Sequence, residues 1–305
     1  RVFCLSRGLG DVYKRQVLAS QSFERLLPSK GLTAQQISFA LREFGFGVKI
    51  YSREAYGQEF LKLLKMYIES GIPVVTAIQN DKGIGHAQSI IGRTKFTDKK
   101  VDDLINPINY GNNVMVYDFE DIVVDYVYMD DNHPPYMLEK LENPSGFYPQ
   151  PNWAGCEIKS FIVPLYPKIY LGAGEARTFA KSVLKRYISQ LNVLKDTEVI
   201  LKVFLASSRS YKNALTANDT LAIFPRELLL RLPMPKFIWV AELSTKELIK
   251  KNYINGVFIL DATETTRQGL IAGLVGNYYI TENLNEIVQI NVPLQPFSNY
   301  NSNLR

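Results

Sequence analysis

Cysteine is almost absent from this chain of 305 residues: Cys4 and Cys156 are the only two. Two thiols cannot build a disulfide framework or a thiolate metal cluster, and the scarcity fits a reducing compartment such as the cytoplasm. No apolar run approaches the roughly 18 residues that a membrane span needs, so no membrane partner is expected. Internal repeats and low-complexity blocks are missing as well. So is charge of one sign: 35 Lys and Arg stand against 30 Asp and Glu, with no basic block and no basic–aromatic stripe. The electrostatic footprint of a nucleic-acid binder is therefore lacking. What is present is a hydrophobic content of 46% with 18 Tyr and 16 Phe, which marks a packed globular protein and not a disordered one. The length suits two domains of about 100–200 residues each.

Residues 6–16, SRGLGDVYKRQ, resemble the reading-frame translation of an adaptor used in transposase-based sequencing libraries, along the whole stretch from Ser6 to Gln16. A natural basic N-terminal segment is the alternative. Residues 1–16 are expected not to belong to the natural protein and to make little contact with the rest. The chain is then expected to start at about Val17 and to be a fragment without its own N-terminus. Setting aside Arg1, Arg7, Lys14 and Arg15 together with Asp11 lowers the formal charge from +5 to +2. Setting aside Cys4 leaves Cys156 alone.

The remaining pattern is α+β. Thr33 and Gln36 form a T-x-x-Q capping box with Leu32 and Ile37 as a hydrophobic staple. Ile37, Ala40, Leu41 and Phe44 share a helical face, and Gly45 ends the helix. Val48–Tyr51 reads as a short strand. Phe60, Leu63, Leu64, Tyr67 and Ile68 mark a second amphipathic helix that stops at Gly71. Pro73–Ile78 and Ala87–Ile91 read as a hairpin around the turn NDKGIG. Residues 93–113 look like an inserted polar loop, and strands are expected at Val114–Tyr117 and Ile122–Met129. The Pro/Gly/Asn-rich stretch 142–156 is taken as a boundary, which gives a first domain over 17–141 and a second α+β domain over 155–305. In the second, strands are expected at 160–171, 198–206, 236–243, 256–261 and 276–281. Helices are expected at 174–191, 225–231 and 245–252, and the tail from 298 is expected to be loose.

The motif with chemical content is GIPVVTAIQNDKGIGHAQSIIG, residues 71–92. A strand led by Gly-x-Pro, a glycine turn and Gly-His-Ala opening the next strand resemble the papain-like cysteine peptidases, in the branch of the bacterial bacteriocin-leader peptidases. The preceding helix–strand–helix, from GLTAQQISFALREFG to GQEFLKLLKMYIESG, matches the order of elements in that branch. YVYMDDNHPPY, residues 126–136, has the form of the strand that ends in the acid of the site. The resemblance covers about residues 20–136. It implies a truncated papain-like peptidase domain, with His86 as the general base and Asp131 as the residue that orients it. Asp130, Asn132 and Asn106 are rivals of Asp131 for that part.

The chemistry explains these residue types. A thiol is mostly protonated near neutrality, so an imidazole must take its proton. The imidazole needs a third group on its other nitrogen to set tautomer and orientation. In the family the nucleophile opens a helix upstream of everything kept here. Cys4 falls among residues 1–16, which are expected not to belong to the natural protein, and Cys156 follows the histidine and the acid, so the nucleophile is expected to be missing and the fragment inactive. The parent protein is expected to be a hydrolase or acyltransferase working through a thioester on a peptide or protein substrate, without a cofactor. A non-catalytic peptide-binding module on the same fold is the alternative. His86 with Asp130, Asp131, Asn132 and His133 could also ligate a hard cation, although an acidic run before Pro-Pro is usually a turn. SSRSYK at 207–212 and DATETT at 261–266 close expected strands and read most simply as loops.

Overall fold

The fold is that of a computed structural model describing residues 32–265, 269–281, 287–290 and 294–300. The adaptor-like stretch, Cys4 and the expectation that residues 1–16 keep apart lie outside the described residues.

The chain is mixed α+β. One antiparallel sheet holds β1 (Gly47–Ser52), β2 (Val74–Gln79), β3 (Gly85–Arg93), β6 (Tyr126–Met129), β7 (Met137–Glu139) and β8 (Glu157–Leu165), in the order β1-β8-β2-β3-β6-β7. A second sheet holds β4 (Ile108–Asn109), β5 (Met115–Asp118), β9 (Glu198–Ser207), β10 (Phe237–Ser244), β12 (Gly256–Asp261), β13 (Leu270–Val275), β14 (Tyr278–Thr281) and β15 (Ile287–Gln289), in the order β15-β14-β13-β12-β10-β9-β5-β4. Its β5–β9 pair is parallel. A two-residue pairing joins β11 (Tyr253–Ile254) to β16 (Phe297–Ser298). The helices are α1 (Ala34–Glu43), α2 (Arg53–Tyr56), α3 (Glu59–Glu69), α4 (Asp98–Asp102), α5 (Ala173–Tyr187), α6 (Ser208–Thr216), α7 (Ile223–Arg231) and α8 (Lys246–Lys250).

Helices α3 and α5 form a layer between the two sheets. Helix α3 packs on β2 and β3 from one side and on β9 from the other, and α5 packs on β9, β10 and β12. The residues expected on the apolar face of α3 (Phe60, Leu63, Leu64, Tyr67 and Ile68) are all buried. Burial of such side chains stabilises by about 1.5–3 kcal/mol each. They join one core with Ile78, Ile90 and Phe161 of the first sheet and Leu205, Trp239 and Phe258 of the second. Alternate residues of the second sheet, Phe204, Val240 and Ile259, point the other way and pack with Tyr211 of α6 and Leu229 of α7.

The stretch 142–156 is not a boundary between the sheets. Strand β8 follows it yet sits between β1 and β2, with Ile162 opposite Ile50 on one side and Val75 on the other. Strand β5 precedes it yet pairs with β9. Turn-forming residues report local chain reversal and carry no information about pairing across a hundred residues. The expected loop at 93–113 contains α4 and β4. The strand expected at 276–281 is the second half of a hairpin, turned at Gly276 with φ +57°. The described part of the tail is docked: Phe297 is buried, and the Tyr300 ring stacks on Phe204 at 5.3 Å.

Candidate functional site

The β2–β3 hairpin positions His86. Its turn is tied by Asn80, whose side-chain oxygen accepts the amides of Lys82 (3.1 Å) and Ile84 (3.0 Å). Gly83 takes φ +77°, and a Cβ on Gly85 would meet the Ile78 carbonyl oxygen at 2.8 Å, so the backbone approach requires glycine there. His86 follows at the start of β3, opposite Ile78. Further along, Ser89 pairs with Met129, the last residue of β6. The turn after β6 therefore runs beside the start of β3, which brings Asp130, Asp131 and Asn132 to the histidine.

All three approach one ring nitrogen. His86 Nε2 lies 2.9 Å from Asp131 Oδ1, 3.4 Å from Asp130 Oδ1 and 3.3 Å from Asn132 Nδ2. Two carboxylates favour a proton on Nε2. The Asn132 amide then fits with its oxygen turned toward the ring, since O and N of an amide are interchangeable by a flip. That tautomer leaves Nδ1 as the basic nitrogen, and no described residue hydrogen-bonds to it.

The two carboxylates differ in surroundings. The Asp131 side chain is 82% exposed, whereas that of Asp130 is 0% exposed. Asp130 Oδ1 accepts the backbone N–H of Asn132 at 2.8 Å, and Oδ2 accepts the Tyr148 hydroxyl at 2.5 Å. Burial, and then the hydrogen bond to Asp130, hold the Tyr148 phenol protonated far above its ordinary range. His86, Asp130 and Asp131 each offer a ligand atom within 4.8 Å of the others, a spacing one cation could bridge. Asp130 already serves two donors, and three ligands fall short of the six to eight oxygens that calcium takes.

Sequence reasoning missed one wall of the site. The stretch 142–156 folds back over the hairpin. Asn80 Nδ2 donates to the Asn152 carbonyl at 2.8 Å, Gln88 Nε2 to the Pro144 carbonyl at 3.0 Å, and Ser145 Oγ to the Trp153 carbonyl at 2.7 Å. This sets Trp153 edge-on to His86 with ring centres 6.1 Å apart. Tyr148 lies 4.4 Å from Trp153 and 4.3 Å from His133. His133 thus packs in an aromatic row with Tyr148 and Phe147, and the cluster of carboxylates with His86 does not include it. The signal in the sequence was FYPQPNW itself, whose aromatic residues are unusual for a linker.

His86 and Asp131 also line a cleft of about 740 Å³, together with Ile37 of α1, Val75 and Ala77 of β2, and Ile162 of β8. Asn106 lies elsewhere, exposed at φ +62° before β4 on the edge of the second sheet. Cys156 is buried in the core shared by the two sheets. Comparisons with protein-family models, with curated proteins and with solved structures find no match for this chain.

Proposed function

We propose that His86 is the general base of a papain-like cysteine hydrolase acting on peptide or amide bonds through a thioester. The thiol would come from outside the described residues. The observation that carries this reading is the convergence of two carboxylates on Nε2, at the rim of a cleft. In the reaction, Nδ1 takes the proton of the thiol as its sulfur bonds to the substrate carbonyl carbon. The proton passes to the leaving amine as the C–N bond breaks, and water then cleaves the thioester. The apolar walls given by Ile37, Val75, Ala77 and Ile162 suit the body of a peptide.

A second reading, a binding module without catalysis, is favoured by the burial of Cys156, the one cysteine among the described residues. One assay separates the two. The full chain is mixed with an N-acyl dipeptide thioester and a small added thiol, and acyl transfer is followed. His86-dependent assistance to the added thiol is expected, about 10²-fold, at the low end of general-base catalysis. His86→Gln should abolish it while leaving the circular dichroism intact. Equal rates for both proteins would remove the enzyme reading in favour of the binding module.

A further inference from the structure

We infer that Tyr148 is a positioning residue: it clamps Asp130, so that this buried carboxylate, and not the exposed Asp131, orients the His86 imidazole. The inference rests on His86 being the proton-accepting group of the site. Distance alone favours Asp131, at 2.9 Å against 3.4 Å for Asp130. Distance is the weaker criterion here. A carboxylate that is 82% exposed is screened by salt and water and swings away at little cost. Asp130 cannot swing. Its side chain has no exposed surface, and both oxygens are engaged, Oδ1 by the backbone N–H of Asn132 and Oδ2 by the Tyr148 hydroxyl. The phenol is held in turn by ring contacts with Phe147, Trp153 and His133. The second lone pair of Oδ1 is then the one fixed acceptor facing Nε2. A separation of 3.4 Å is long for a finished hydrogen bond, and catalytic hydrogen bonds are often long before substrate binds.

Tyr148→Phe keeps the ring contacts and deletes only the hydroxyl, which makes the test clean. The full chain, labelled with ¹⁵N-histidine, is examined by long-range ¹H–¹⁵N spectroscopy for the His86 tautomer and for the exchange rate of its ring N–H with solvent. The wild-type protein should hold the Nε2–H tautomer with slowed exchange. Asp131→Asn, at an exposed site that folding tolerates, should change neither. Asp130→Asn should mix the tautomers. Tyr148→Phe should speed exchange about tenfold, the size expected for losing one hydrogen bond to a charged group, without altering the far-UV circular dichroism. Unchanged exchange in Tyr148→Phe would overturn the inference, and so would an Asp131→Asn spectrum that matches Asp130→Asn. The spectra do not depend on turnover, so failure of the acyl-transfer assay and failure of this inference are distinguishable.

Discussion

Glu69 and Glu120 are both buried carboxyls, and their partners drive them in opposite directions. Burial raises the pKa of Glu69, but Lys202 at 2.8 Å and Arg93 at 2.7 Å outweigh it and bring it down to about 2. Among the described residues no cation is paired with the Glu120 carboxyl, since Lys65 Nζ donates only to its backbone carbonyl, at 2.9 Å. Both its oxygens lack a hydrogen-bond partner among the described residues, and burial, then the charge of Asp118, push it up to about 8. The consequence for stability follows from linkage. A carboxyl whose pKa is raised on folding costs nothing below its unfolded value of 4.5. Its cost grows as pH rises from there and levels off above about 8, at no more than about 1.4 kcal/mol per pH unit. Glu242, pushed up to about 7 by burial, adds a shorter slope of the same sign. Glu120→Gln removes the longer slope. Denaturant unfolding at pH 5, 6, 7 and 8 should therefore show the variant gaining on the wild type at each step. Parallel profiles for the two proteins would show that Glu120 is ionised in the fold at no cost.

Among elements, those set by neighbours along the chain were legible. The capping box of α1 forms as its sequence implies, with the Thr33 amide donating to Gln36 Oε1 at 2.8 Å and the Gln36 amide to Thr33 Oγ1 at 3.2 Å. The β2–β3 hairpin and the strand carrying YVYM were likewise visible, and so the meeting of His86 with the Asp130–Asn132 turn was within reach of pattern reasoning. The wall over 142–156 was not. Its prolines and glycines describe turns, while its place is decided by bonds to residues 56 and 72 positions away, Gln88 to Pro144 and Asn80 to Asn152. Asn80 makes the element-scale prediction. It satisfies two amides of the hairpin turn and the Asn152 carbonyl at once. Asn80→Ala removes all three bonds; Lys82 and Asn152 are exposed, so water can replace the lost partner and the cost is the net worth of the bonds, about 0.5–1.5 kcal/mol each. The variant should lose the sum of these in chemical denaturation, and the His86 ring resonances should move, because Trp153 is no longer held against the imidazole. A stability loss with unmoved His86 resonances would show that the wall keeps its place without Asn80.

For the whole molecule, the two sheets share one core and exchange strands across the stretch 142–156. Strand β8 fills the first sheet between β1 and β2, and β5 extends the second beside β9. Helix α3 touches both sheets, and its last turn carries Glu69, which joins Arg93 of β3 to Lys202 of β9. Neither sheet can therefore unfold alone without exposing the helical layer and stranding buried charges, which is strongly destabilising. The two tryptophans allow a test, because Trp153 stands beside the first sheet and Trp239 is fully buried in β10 of the second. Trp239→Phe leaves Trp153 as the sole fluorescent indole, and Trp153→Phe leaves Trp239. In urea, the fluorescence midpoint of each variant should coincide with its own far-UV circular dichroism midpoint, the mark of an all-or-none transition. The comparison is made within each variant, so the stability that Trp239→Phe removes from the core does not confuse it. If Trp153 fluorescence changed at clearly lower urea than the circular dichroism of the same protein, the first sheet would unfold by itself. The crossing strands would then be too weak to couple it to the second.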